Sequence, residues 1–395
     1  RDTFVYNVPG KPLYATLDPD AQTMDIDYRN NFSTKMPEER MLYRPGMNYQ
    51  PRNKYVLQYY PTVHYLDKDG YMPGFNFIKT YSNLENIESS FNLGTKTKKV
   101  FYSINGWTKT PHKTIDQFNY QIYNFGGVEG IGMKILKKIN TDNFGNGLKQ
   151  IEFGFYWNQV KDTSRTHLYD EGSLIVNSAK MRSSFASINS ELSFDFTPFQ
   201  SSDWSFNRIT LTNSFDQKFG LLGGRFRHVY GQIWSNQDGV PLQERYNVEG
   251  AGSGDLYQKS YLRDKTSFYG NQNFFGRYHM AGDANLRAFG NQGFAGVEQV
   301  FAITIEGFLS KSIAGINLEL AGFIDQGTLS GSKFVLGDKG FDGNTLVDYG
   351  IGLRISTSIF GQPIYLRLDK PIGAKINGVD LEKMNEWVFS FQKSI

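Results

Sequence analysis

The sequence contains no cysteine, which removes disulfides, thiolate metal sites and cysteine nucleophiles together. It also lacks a run of about 18 consecutive apolar residues. The nearest approach, Val297 to Ile324, is broken by Glu298, Glu306, Lys311 and Glu319, so a membrane-spanning helix is excluded and only a closed barrel would cross a bilayer. Charge of one sign is scarce: Lys+Arg 42 against Asp+Glu 39 leaves a net +3, and no basic cluster alternates with stacking aromatics, which argues against a nucleic-acid partner.

Catalytic signatures are absent as well. His64, His112, His167, His228 and His279 are far apart and show no zinc-ligand spacing, and no Gly-x-Ser-x-Gly nucleophile elbow occurs. The stretch Gly126-Gly-Val-Glu-Gly130-Ile-Gly132 lacks the Gly-Lys-Ser/Thr ending of a phosphate loop and reads as a sharp strand bend. Asp18, Asp20, Asp25 and Asp27 lack the central glycine of an EF-hand loop. No catalytic residue, metal site or cofactor is assigned, and the chain is not expected to be an enzyme.

What the sequence does have is aromatic residues, 15% of the chain, beside a mean hydropathy of -0.46. A soluble core is filled mainly by aliphatic side chains, whereas a barrel in lipid carries apolar residues and aromatic girdles outside and a polar lumen inside. From about residue 54 onward, period-two alternation recurs in runs long enough for a tilted strand to cross the hydrocarbon layer. Ile151, Phe153, Phe155 and Trp157 alternate with Glu152, Gly154, Tyr156 and Asn158, and Leu192, Phe194 and Phe196 with Ser193, Asp195 and Thr197. Phe301, Ile303 and Ile305 alternate with Ala302, Thr304 and Glu306, Tyr349 to Ile355 with Gly350 to Ser356, and Ile364, Leu366 and Leu368 with Tyr365, Arg367 and Asp369.

The expected fold is therefore an all-β transmembrane antiparallel barrel of about 16 strands with a long inward-folded loop. A soluble sandwich or propeller also alternates, but no repeat of roughly 33 to 45 residues supports a propeller. Short turns such as Asp69-Gly70 and Ser201-Ser202-Asp203, and a long polar loop from Asn236, are expected at opposite ends. Trp387, Phe389, Phe391 and Ile395 alternate with polar neighbours as a closing strand that pairs with the first. Residues 1–53, punctuated by Pro9, Pro12, Pro19, Pro37, Pro45 and Pro51, read as a periplasmic lead-in, a linker, a plug or the end of an upstream β-domain. Residues 54–395 form the barrel, with 236–297 inserted into its lumen. The start at Arg1 suggests a mature or trimmed product.

Four segments from Pro241 to Ile395 resemble, in order, the last part of Omp85-superfamily barrels. Pro241 to Gly250 is similar to the segment that introduces the family's inward loop; Gly282-Asp-Ala-Asn-Leu286-Arg287-Ala288-Phe289-Gly290 is similar to its loop-tip motif. Gly322-Phe-Ile-Asp325-Gln-Gly327 resembles the strand motif Phe-x-Asp-x-Gly, and Asp348 to Arg354 with Pro363 to Asp369 resembles the penultimate strands. The resemblance implies a barrel in the outer membrane of a diderm bacterium that assembles, translocates or anchors protein. Its partners would be outer-membrane lipids, including lipopolysaccharide, and other assembly or secretion proteins.

The resemblance pairs the loop Arg287 with the strand Asp325, and alternation places Glu306 and Glu319 on the lumen side with it. Arg354, Arg367 and Asp369 either extend that network or merely line a wet lumen. Ala288 stands where the family has Gly, which would strain a turn that needs positive φ. No POTRA domain is recognisable ahead of the barrel. Leu17 to Asn31 is similar to strands that follow the catalytic part of M1-type metallopeptidases, which offers a second reading: a non-catalytic barrel anchoring a peptidase-like domain, or a structural subunit of a larger complex. A passive porin is a third.

Overall fold

A computed structural model of the chain describes residues 9–11, 15, 17, 39–42, 54–66, 69–110, 114–125, 127–140, 148–161, 170–198, 203–235, 239–248, 272–273, 276–278, 283–289, 296–330, 344–359, 362–381 and 387–390. Helix is limited there to one 3-10 turn, Leu242–Glu244. A short strand β1 (Glu39–Leu42) precedes eleven long ones. These are β2 (Tyr55–Leu66), β3 (Gly70–Tyr81), β4 (Glu85–Leu93), β5 (Val100–Lys109), β6 (Gln117–Phe125) and β7 (Val128–Asn140). They continue as β8 (Leu148–Val160), β9 (Gly172–Phe185), β10 (Ile188–Phe196), β11 (Phe206–Phe219) and β12 (Leu222–Ser235). The excursion that follows holds β13 (Gln272–Asn273) and β14 (Gly276–Tyr278). The chain then returns to β15 (Gln299–Ile313), β16 (Ile316–Ser330), β17 (Asn344–Ile359) and β18 (Gln362–Ile376), and ends on β19 (Val379–Asp380) and β20 (Val388–Ser390).

Every long strand pairs antiparallel with the next, and β12 skips the excursion to pair with β15. All belong to one sheet. Fifteen strands of 9 to 16 residues are described, and β20 takes the sixteenth place in the wall beside β18. The physical cause of this fold is the alternation itself. Phe153, Phe155, Leu192, Phe194, Ile305, Leu309, Leu320, Ile324, Ile351 and Leu353 are exposed, while Glu152, Asp195, Glu306, Asp325, Arg354 and Asp369 are buried. Leu320 at 57% exposure and Asp325 at 0% lie on opposite faces of one strand. Apolar side chains outside and charge inside is the arrangement of a transmembrane barrel, the reverse of a soluble sandwich.

Antiparallel alternation sorts the connections by end. The connections β3–β4, β5–β6, β7–β8, β9–β10, β11–β12, β15–β16 and β17–β18 start and finish at one end; β2–β3, β4–β5, β6–β7, β8–β9, β10–β11, β12–β15 and β16–β17 start and finish at the other. The second end carries the long connections, but it also carries Asp69-Gly70 and the Asp203 turn, which sequence reading had placed opposite the long loop. Length identifies an end only on average; strand parity decides it. The hairpin turn of β15 and β16 places Ala314 and Gly315 at φ 50 and 81, the paired left-handed geometry of a two-residue turn. Gly127 takes φ 83 in the two-residue connection of β6 and β7, so the glycine-rich stretch there supplies a hairpin turn rather than the expected bend.

The end of the chain differs from expectation. β20 pairs antiparallel with β18 and parallel with β14, and among the described residues no pairing joins it to β2, whose free side is met by β1 in parallel. The sheet is therefore not closed by its terminal strands. Trp387 is 42% exposed, as alternation requires, but Phe389 is 8% exposed and all three residues of β20 are buried, so the strand shows no two-faced alternation. Phe391 and Ile395 lie outside the described residues.

The outward face generates a direct test. Ile305→Arg, in the middle of β15, is expected to destabilise the protein by ~2–4 kcal/mol in phospholipid vesicles, measured by urea unfolding. An equal loss for the turn variant Leu221→Arg, at a 62% exposed position, would show that depth in the wall is not what matters.

Candidate functional site

Residues 239–248 and 283–289 of the excursion between β12 and β15 pack against the inward face of the sheet. The excursion's outgoing limb makes an antiparallel bridge from Tyr246 to Val297, and Ala284 and Leu286 donate backbone hydrogen bonds to Asn247 and Val248 at 3.1 and 3.0 Å. These contacts tie residues 284–286 to the outgoing limb 246–248. Val240, Tyr246, Val248, Ala284, Leu286, Ala288 and Phe289 share one apolar core with Leu174, Val176, Phe206, Val229, Ala302, Leu329, Leu346 and Ala374 from the inner wall. Gly327 is bare for a reason: a Cβ there would press on Leu286.

Arg287, at the centre, is 0% exposed. Its Nε lies 3.0 Å from Asp325, its Nη2 2.9 Å from Glu306 and its Nη1 3.2 Å from Asp369, while the guanidinium stacks 3.8 Å over the Phe323 ring. A planar fork with five donors is the one side chain that meets three carboxylates and a ring at once. Burial opposes its charge, but Asp325, Asp369, Glu306 and Asp348 together hold its pKa above the ordinary arginine value. It is a permanent cation.

The wall residues form a second layer. Arg354 hydrogen-bonds Glu306 and lies 3.3 Å from Asp369, and Arg367 donates to Asp369 at 2.5 Å. The charges at Arg354, Arg367 and Asp369 thus join one network instead of lining a wet lumen. Glu319 does not reach Arg287. It pairs at 2.7 Å with Arg225, which also meets Asp216 and approaches Glu306 at 3.5 Å. The reason is register: Glu319 lies six residues from Asp325 along β16, too far down the strand for the same guanidinium.

Asp348 is the residue that sequence reading left out. It is fully buried, stands opposite Asp325 in the β16–β17 register, and accepts the Ala288 backbone N–H at 3.0 Å. The signal was available: Asp348, Gly350, Gly352 and Arg354 share one face, and two carboxylates directly opposed need a donor between them. Gly350 and Gly352 provide the space, since a Cβ at Gly352 would collide with the Asp369 carboxylate and one at Gly350 with Phe323 and the Lys370 carbonyl. Ala288 is not strained. The left-handed residue of the tip is Asn285, φ 57, so the family's glycine is not required at 288. Leu286 and Phe289 are fully buried in the core, and Gly290 lies outside the described residues.

No protein-family model and no curated protein matches the chain. Solved structures do. BamA from Haemophilus ducreyi, in a form lacking POTRA domains 1–3, aligns with TM-score 0.50 and 13% identity over 85% of this chain and 69% of that one. This chain has the BamA barrel fold. CdiB from Acinetobacter baumannii aligns at 12% identity and TM-score 0.43, over 85% of this chain and 60% of that one; CdiB from Escherichia coli aligns at 11% and 0.49, over 86% and 64%. The chain thus spans less than two thirds of either CdiB.

Arg287→Ala leaves the four carboxylates facing Arg354 and Arg367 alone, and a loss of ~3–5 kcal/mol is expected on breaking one partner from a buried cluster. In a double-mutant cycle with Asp325→Asn, the second substitution should cost much less in the Arg287→Ala background than in the unaltered chain; strict additivity would remove the pair from the account. Gly352→Ala should destabilise by ~1–3 kcal/mol through overpacking against Asp369, read by the same urea titration.

Proposed function

We propose that this protein is an outer-membrane transport barrel of the Omp85 kind, which assembles, translocates or anchors protein, and that its lumen is sealed by the inward loop until a client engages. The observation that carries the reading is the buried Arg287 cluster. A conduit for small solutes has no use for a lumen in which a loop shares an apolar core with the wall and inserts a cation among four carboxylates. Such a seal suits a barrel whose cargo is large and infrequent. The outward rows of Phe, Ile and Leu side chains fit outer-membrane lipid, and the partners on this reading are that lipid and other assembly or secretion proteins.

The M1-peptidase-like segment, Leu17 to Asn31, lies almost wholly outside the described residues, and the second reading, a non-catalytic anchor for a peptidase-like domain, draws no support from the described wall.

In planar bilayers the full chain should be nearly silent, with brief openings, and Arg287→Ala should raise its mean conductance. Steady, large conductance from the unaltered protein would identify a passive porin. In membranes, a photo-crosslinking residue in place of Phe289 should capture polypeptide when Arg287 is replaced and little otherwise.

A further inference from the structure

A second charged cluster lies apart from Arg287, built on the Pro241 to Gly250 segment by which the loop departs. Glu244, on the 3-10 turn by which the loop leaves β12, is fully buried. Its carboxylate accepts hydrogen bonds from Arg208 at 3.2 Å and from the Tyr156 hydroxyl at 3.1 Å, and its backbone carbonyl accepts another from Arg208 at 2.8 Å. Arg208 is held by Asp195 at 2.9 Å. Next to it, the Leu242 N–H donates to the Asp170 carboxylate at 2.8 Å and the Asp170 N–H donates to Gln243 at 2.9 Å. Asp195 and Arg208 stand near the long-connection ends of β10 and β11, whereas Glu306 is in the middle of β15.

The two clusters share no residue, and their charges are inverted: the loop gives an anion to one and a cation to the other. They also differ in what the wall keeps when the loop departs. Withdrawing Glu244 leaves Arg208 paired with Asp195, a balanced wall pair. Withdrawing Arg287 with the adjoining Ala288 N–H leaves the directly opposed Asp325 and Asp348 without the donors between them in a buried space, which is the costlier separation.

We propose that Glu244 is a releasable rim clamp, separate from the Arg287 lock, whose detachment lets residues 240–245 of the outgoing limb lift from β8–β11 and unseals the long-connection end while 246–248 and the loop tip stay locked. This deepens the inward-seal reading and rests on it. A cavity of about 550 Å³ on the inner wall of β4–β9, lined by Asn86, Glu88, Asn105, Trp107, Gln121 and Arg182, lies toward the short-turn end. Opening the rim would give that polar space a second exit.

Because the chain has no cysteine, single cysteines report access cleanly. Leu174→Cys, in the core shared with the outgoing limb, and Ala302→Cys, in the same core on β15 next to the locked half, are probed in membranes with a bulky charged maleimide. Glu244→Ala is expected to raise labelling at 174 by roughly tenfold or more, the loss of a charge-assisted hydrogen-bond set, and to leave 302 protected. Glu244→Gln, which keeps the side chain's volume, serves if the alanine variant does not fold, with folding checked by heat-modifiable gel mobility. Protection at 174 in both variants, or equal exposure of 174 and 302, overturns the separate clamp but not the inward seal. Rapid labelling of 174 with Glu244 intact overturns the seal itself and the clamp with it.

Discussion

A guanidinium removed from water must be surrounded by acceptors, and the interior of this protein is organised around that requirement. Arg287 has no solvent, so β15, β16, β17 and β18 each send a carboxylate toward it or its neighbouring backbone: Glu306, Asp325, Asp348 and Asp369. Those carboxylates need cations in turn, which Arg354 and Arg367 provide. The bare backbone at Gly350 and Gly352 follows from the same crowding, because the space a side chain would fill is taken by Phe323 and Asp369. Four strands are thereby committed to one loop residue.

This arrangement separates two jobs that a soluble protein combines. The outer face is fitted to hydrocarbon by Phe, Ile and Leu rows. The inner face carries nearly all of the buried charge, and the loop supplies both apolar cover and counter-charge. The stability of the lumen is then inseparable from the seating of the loop. A network of this kind resists gradual loosening, since partial withdrawal of one partner leaves buried charge without compensation.

Much of this was legible in the sequence, and the reasons are physical. Period-two alternation reports which face a residue takes, so the inward placement of Glu306, Asp325, Arg354, Arg367 and Asp369 could be read directly. Alternation does not report height along the wall, which depends on the register between strands distant in sequence, and so Glu319 was grouped with Arg287 although it serves Arg225. Asp348 was overlooked because its partner across the strand pair, Asp325, carries the same charge, and like charges are not an obvious couple until a shared donor is seen. Glu244 lies inside the Pro241 to Gly250 segment whose resemblance marks it as the loop's lead-in, but its burial was not legible, because its partners Tyr156 and Arg208 come from two strands distant in sequence. The end of the chain misled for a simpler reason, that alternation describes the faces of a strand and says nothing of its edges.

Those edges carry a consequence. β20 offers its outer edge to β14, a piece of the same excursion that fills the lumen. An unpaired strand edge is a template on which another chain can polymerise, and soluble sheets blunt theirs with charge, proline or bulges. Here the blunting device is tethered to the stopper. A movement of the excursion that carries β14 away also strips the terminal strand, so clearing the interior in that way presents a ladder of free backbone groups to whatever polypeptide is nearby.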